Sequence, residues 1–73
     1  MKGWINKYFA DRGFGYLEAE GRQEGVFFHF RQVLQKQQSL IVEGLWAEFD
    51  IGSGQNGREQ AINIRLQLDE DIS

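Results

Sequence analysis

The chain of 73 residues contains no cysteine and no proline, and only one histidine. Without cysteine, neither a disulfide nor a thiolate metal site can staple so short a chain, and its stability must come from a packed apolar core. The same absence fits a reducing compartment, so a cytoplasmic location is expected. No apolar run approaches the roughly 20 residues of a membrane-spanning helix, and residues 1–9 carry no apolar stretch of the kind that marks a secretory leader. A zinc site needs three or four protein ligands, which His29 cannot supply without cysteine partners. None of Ser39, Ser53 and Ser73 sits in a motif that would make it the nucleophile of a serine–histidine–acid triad. With no metal cluster, phosphate loop or triad, the chain reads as a non-enzyme needing no cofactor and no small-molecule substrate. Its length leaves room for one domain, expected over residues 1–68, followed by an acidic tail over residues 69–73.

Basic residues are also scarce: eight Lys and Arg against eleven Asp and Glu give a net charge of −3. The charge is unevenly spread. Residues 1–36 hold six basic and four acidic side chains, and residues 37–73 hold two basic and seven acidic ones. A phosphate backbone responds to local potential rather than to the sum, so the first half remains a candidate surface for nucleic acid. Taken by itself, this charge distribution is equally that of ordinary solvated faces.

Aromatic residues are abundant. Of ten, eight fall in the first thirty residues: Trp4, Tyr8, Phe9, Phe14, Tyr16, Phe27, Phe28 and Phe30. A core of this size cannot bury them all, and exposed aromatic side chains usually mark a binding surface. Strands are expected near residues 2–10, 14–19, 25–30, 45–51 and 60–68. Alternation puts Leu45, Ala47, Phe49 and Ile51 on one face of the fourth, and Ile62, Ile64, Leu66 and Leu68 on one face of the fifth. Glycine-rich turns separate the strands, at Asp11-Arg12-Gly13, Glu20-Gly21 and residues 52–57. Residues 31–38 have the spacing of a short helix, with Phe30, Val33, Leu34 and Gln37 on one side. Five short strands at this spacing suggest a small all-β barrel, which leaves few free strand edges.

Two motifs carry chemistry. In Arg12-Gly13-Phe14-Gly15-Tyr16-Leu17, Phe14 and Tyr16 lie on the same face of a strand, about 7 Å apart, a spacing compatible with stacking successive splayed bases. Gly13 and Gly15 place no side chain in the way, Arg12 can meet a phosphate, and Leu17 and Ala19 supply an apolar face of opposite parity. In Val26-Phe27-Phe28-His29-Phe30, Phe27 and His29 share one face while Val26 and Phe28 share the other. Pairing the two strands would make a four-ring platform of Phe14, Tyr16, Phe27 and His29, with Phe30 at its edge. His29 is then read as stacking on or hydrogen-bonding to a base, with a half-buried, hydrogen-bonded ring as the plainer alternative.

These two motifs resemble the paired ribonucleoprotein motifs of the cold-shock domain, commonly K-G-F-G-F-I and D-V-F-V-H-F. The resemblance runs from Gly3 to about Ile64, where Ala61-Ile62-Asn63-Ile64 is similar to the family's A-x-N-V. It implies a five-stranded antiparallel β-barrel of the OB type. It also implies binding of single-stranded RNA or DNA with little sequence preference, often as an RNA chaperone. Carried over by motif, the stacking positions are Phe14, Tyr16, Phe27, His29 and Phe30, with Arg12 in place of the family's lysine. The family's K-W-F-N corresponds to Asn6-Lys7-Tyr8-Phe9, or to Lys7-Tyr8-Phe9 with a shift of one. The customary tryptophan is missing, so Tyr8 is expected to stack and Lys7 to lie near phosphate.

Further departures are Gln37-Gln38 where a loop aromatic is common, Gly57-Arg58 for a G-P pair, and Gly25 for the acid that opens the second motif. Together they imply a smaller platform and weaker affinity than typical members have. The alternative function is a protein-interaction module on the same barrel, favoured by the acidic second half and by Trp46 on the outward face of its strand. A monomer is expected, with a weak dimer as the other option. An RNA-recognition-motif fold fits less well, because it needs two helices and the opposite motif order.

Overall fold

The computed structural model describes residues 1–54 and 57–68; the acidic tail expected over residues 69–73 lies outside them, as do Gln55 and Asn56 of the third glycine-rich turn. Five strands form: β1 (Lys2–Phe9), β2 (Phe14–Ala19), β3 (Val26–His29), β4 (Trp46–Ser53) and β5 (Glu59–Leu66). Their order in the sheet is β3-β2-β1-β4-β5, with every neighbour antiparallel. Each matches an expected strand to within two residues at either end.

The β1–β2 hairpin closes over residues 10–13, where the N–H groups of Arg12 and Gly13 both donate to the Phe9 carbonyl, at 2.9 and 2.8 Å. Gly13 holds a φ of +78°, a left-handed conformation that costs an L side chain about 1–2 kcal/mol. The alternation of β2 and β3 then divides the side chains as their sequences demand. Leu17, Ala19, Val26 and Phe28 are buried, and they join Ile5, Ala47, Phe49, Ala61, Ile64 and Leu66 in one apolar core. No polar or charged residue is buried among the described residues.

Two bulges break the alternation. In β1, Ile5 pairs with Leu17 but Lys7 pairs with Tyr16, so Asn6 is an extra residue. In β5, Asp50 faces Ile62 while Glu48 faces Arg65, which leaves two residues of β5 opposite Phe49. Asn63 lies there with a φ of 51°, and asparagine tolerates this left-handed geometry better than most residues. The bulge reverses parity. Ala61, Ile64 and Leu66 are buried, whereas Ile62, expected to share a face with Ile64, is only half-buried.

The helix expected over residues 31–38 does not form. Two short 3-10 turns, Phe30–Gln32 and Gln35–Leu40, flank an extended Val33. The reason is closure of the barrel. β3 and β5 are the two ends of the sheet, and Val33 fills the gap by bridging Ile64 in parallel while Leu34 donates to the Ile64 carbonyl at 2.9 Å. Val33 is buried in consequence. Gln37 extends the closure, its side chain accepting from the Leu66 N–H at 2.8 Å and donating to the Leu66 carbonyl at 3.2 Å, as a paired strand would. Tertiary pairing here outweighs a weak local helical preference.

The division at β3 generates the first prediction. Phe28 is fully buried and Phe27 is 37% exposed. Phe28→Ala should therefore cost about 3–5 kcal/mol in urea unfolding, and Phe27→Ala less than about 1.5 kcal/mol. The reverse ranking would mean that the strand is inverted.

Candidate nucleic-acid interface

The outward faces of β2 and β3 meet in register. Phe14 stands opposite His29, and Tyr16 opposite Phe27. Ring centroids are 5.6 Å apart for Phe14 and Phe27, 5.9 Å for Tyr16 and Phe27, and 6.5 Å for Phe14 and Tyr16, with the last two pairs edge-on. These are favourable aromatic contacts that still leave ring surface toward solvent: Tyr16 and Phe27 are exposed, while Phe14 and His29 are half-buried. Gly15 lies behind the row, and a Cβ there would run into the Lys7 carbonyl oxygen and the Phe28 ring. The row can sit this close to the core only because Gly15 lacks a side chain.

Phe30 follows where β3 ends. Its N–H donates to the Gly13 carbonyl at 2.8 Å, its ring centroid is 4.9 Å from that of His29, and the Arg31 guanidinium lies 6.0 Å from its centre. A Cβ on Gly13 would come within 2.9 Å of the Phe30 ring. His29 Nδ1 accepts from the Arg31 N–H at 3.2 Å, so the neutral imidazole carries its proton on Nε2 and presents a donor there.

The bulge at Asn6 decides which side chains of β1 join this face. Lys7 stands opposite Tyr16 and is exposed; Phe9 stands opposite Phe14, 41% exposed, with ring centroids 5.3 Å apart. Tyr8 turns the other way. It is half-buried and nearly parallel to Phe28 at 6.0 Å, so it does not join the row expected to include it. Phe9 takes that place, a position that strict alternation along β1 does not indicate. The available signal was the short hairpin, which sets the residue before the turn opposite Phe14.

Arg12 is exposed in the turn at one end of the row. At the other side, a groove of about 470 Å³ runs between β3 and the β4–β5 connection, lined by Phe27, His29, Arg31, Gln32, Gly54, Arg58, Glu59 and Gln60. Its rim is held by the Arg22–Glu59 ion pair at 2.9 Å, which ties the β2–β3 loop to β5. Lys7, Arg12, Arg31 and Arg58 form no ion pair among the described residues. The face thus combines stacked rings with uncommitted cations, although the chain as a whole is acidic.

A five-stranded antiparallel sheet curled so that Val33 joins its two ends, with such a row on its outer surface, is an OB-type barrel. Within that class the chain belongs to the cold-shock domain family: residues 1–67 match the family described as the 'Cold-shock' DNA-binding domain. It is 35% identical over 66 residues to Cold shock-like protein CspC of Bacillus cereus, covering 90% of this chain and 100% of that one. It is 32% identical over 65 residues to Cold shock protein CspA of Staphylococcus saprophyticus, covering 89% and 97%. Among solved structures it is similar to drosophila Unr CSD456, with a TM-score of 0.74 and 32% identity; the match covers 99% of this chain and 28% of that chain. Family membership supports nucleic-acid binding in general terms.

Two glycines of similar backbone test the placement of Phe30. Gly13 and Gly21 have φ of 78° and 84°, but only at Gly13 does anything lie within 4 Å of the missing Cβ. Both alanine variants should lose about 1–2 kcal/mol through the left-handed backbone. Only Gly13→Ala should also shift the Phe30 and His29 ring resonances; unchanged spectra in both would contradict the placement.

Proposed function

We propose that this protein binds single-stranded RNA or DNA by stacking unpaired bases on Phe14, Tyr16, Phe27 and His29, with Phe30 and Phe9 at the two ends of the row. The observation that carries the reading is the common outward face of these rings, beside four cations that have no partner among the described residues. Every base has a π-face, so such a surface tolerates any sequence and rejects a duplex, whose bases are already stacked. Lys7 and Arg12, with Arg31 or Arg58 beside the groove, meet the phosphates. Tyr8 acts from beneath by supporting Phe28 and the strand above it. His29 donates through Nε2 to a base oxygen or ring nitrogen.

Binding unpaired strands draws RNA secondary structure toward the open form by mass action, which is the physical content of an RNA chaperone or of a regulator of transcription or translation. The role is one of binding without catalysis, in a cytoplasm that suits a cysteine-free chain. The competing reading, a barrel that has exchanged nucleic acid for a protein partner, draws on the acidic surplus of the second half.

Two measurements by anisotropy of a labelled oligonucleotide separate these readings. Phe27→Ala should weaken binding by about 1–3 kcal/mol, roughly 5- to 150-fold. With about two to three phosphate contacts at roughly −0.7 each, the log–log salt slope should be near −1.5 to −2. A slope steeper than about −4 would show that charge rather than stacking dominates. Wild-type protein that binds no single strand even at low salt would favour the protein-interaction reading.

A further inference from the structure

The outer surface at the seam of β1 and β4 carries a second aromatic feature, apart from the row on β2 and β3. Trp4 and Trp46 pair across the strands with ring centroids 5.2 Å apart and a tilt of 57°, and they are 36% and 46% exposed. No other tryptophan exists in the chain. Isolated exposed apolar residues are ordinary, but two adjacent tryptophans are a different matter, since this residue type dominates binding hot spots.

The pair of residues beside them indicates what covers the rings. Two positions further out along the same strands, Lys2 stands opposite Glu48, with Nζ 3.8 Å from the carboxylate; Arg65 on β5 approaches the same carboxylate at 4.0 Å. The seam thus presents a two-by-two block: Trp4 beside Trp46, and Lys2 beside Glu48. A two-fold axis parallel to the strands and midway between β1 and β4 exchanges the columns of this block. It sets Trp4 against Trp46 of a second copy and Lys2 against Glu48 of a second copy, twice each. Isologous interfaces require this self-complementarity. Nucleic acid fits the block poorly, because Glu48 is part of it and Glu18 stands opposite Trp4 on β2.

We infer that the β1–β4 seam is a homodimer interface, centred on Trp4 and Trp46 and oriented by the Lys2–Glu48 pairs. The patch is small, so the dimer is weak, with an expected Kd of about 10–1,000 µM. Phe14, Tyr16, Phe27 and His29 lie on β2 and β3, outside the paired positions of the seam.

Sedimentation equilibrium from about 10 µM to about 1 mM tests this on the intact chain, with tryptophan emission followed over the same range. The mass of wild type should rise from 8.5 kDa toward twice that value, and the emission should move to shorter wavelength as the only two tryptophans are covered. Trp46→Ser should remain monomeric while keeping its circular dichroism spectrum and its oligonucleotide affinity. Lys2→Glu should weaken the dimer at least tenfold, because it sets like charges together twice per interface. The double variant Lys2→Glu/Glu48→Lys should restore it. A wild-type mass constant at 8.5 kDa with unchanged emission would overturn the inference. So would a dimer that survives Trp46→Ser, which places the contact elsewhere. Emission that changes only when an oligonucleotide is added, at constant protein mass, would assign the patch to nucleic acid and overturn it equally.

Discussion

The buried ring of Phe28 governs the arrangement of the outer surface. It lies behind Gly15, at the one place on β2 where a side chain would collide with it, and almost parallel to Tyr8 on β1. That three-strand contact locks the register of β1, β2 and β3. A slip of one residue would drive Phe27 and His29 into the core and leave Phe28 in water, losing about 1.5–3 kcal/mol for the exposed ring alone. Everything on the outer face follows from it: the pairing of Phe14 with His29 and of Tyr16 with Phe27, and the position of Phe30 over Gly13.

The parts of this arrangement that depend on strict alternation are legible in the sequence. The basic-Gly-aromatic-Gly-aromatic string and the Val-Phe-Phe-His string each have a two-residue period, and the structure keeps it in both. The parts that depend on an interruption of alternation are not. One extra residue at Asn6 returns Tyr8 to the interior and brings Phe9 out beside Phe14. One left-handed residue at Asn63 exchanges Ile62 for Ala61 as a core position. Bulges leave little trace in composition, because what favours them is the pairing and curvature of the whole sheet. The segment after β3 misleads for a related reason: Val33 is needed as an extended bridge to Ile64, a demand that no local pattern expresses.

The same segment accounts for one departure from the family pattern. Gln37 stands in a loop where an aromatic residue is common in the family, and its side chain pairs with both backbone groups of Leu66. It extends the edge of the sheet instead of offering a ring to a base. Lys7 is exposed opposite Tyr16, at the place where the gap-free alignment puts the family's tryptophan, and Phe9 presents a ring two pairs further along. The exposed ring on this face of β1 is thus Phe9, beside the cation of Lys7. Several carboxylates of this acidic protein are engaged by other side chains: Glu48 by Lys2 and Arg65, Glu59 by Arg22, and Glu18 by Asn6.

Chemical-shift mapping with a short oligo-dT tests most directly whether the outward row is the surface that meets unpaired bases. Ring resonances of Phe14, Tyr16, Phe27, His29 and Phe9 should shift together during the titration, with Lys7 and Arg12 amides, while Phe28 and the indoles of Trp4 and Trp46 change little. Shifts concentrated on the two indoles, or none on the row at saturating oligonucleotide, would contradict it.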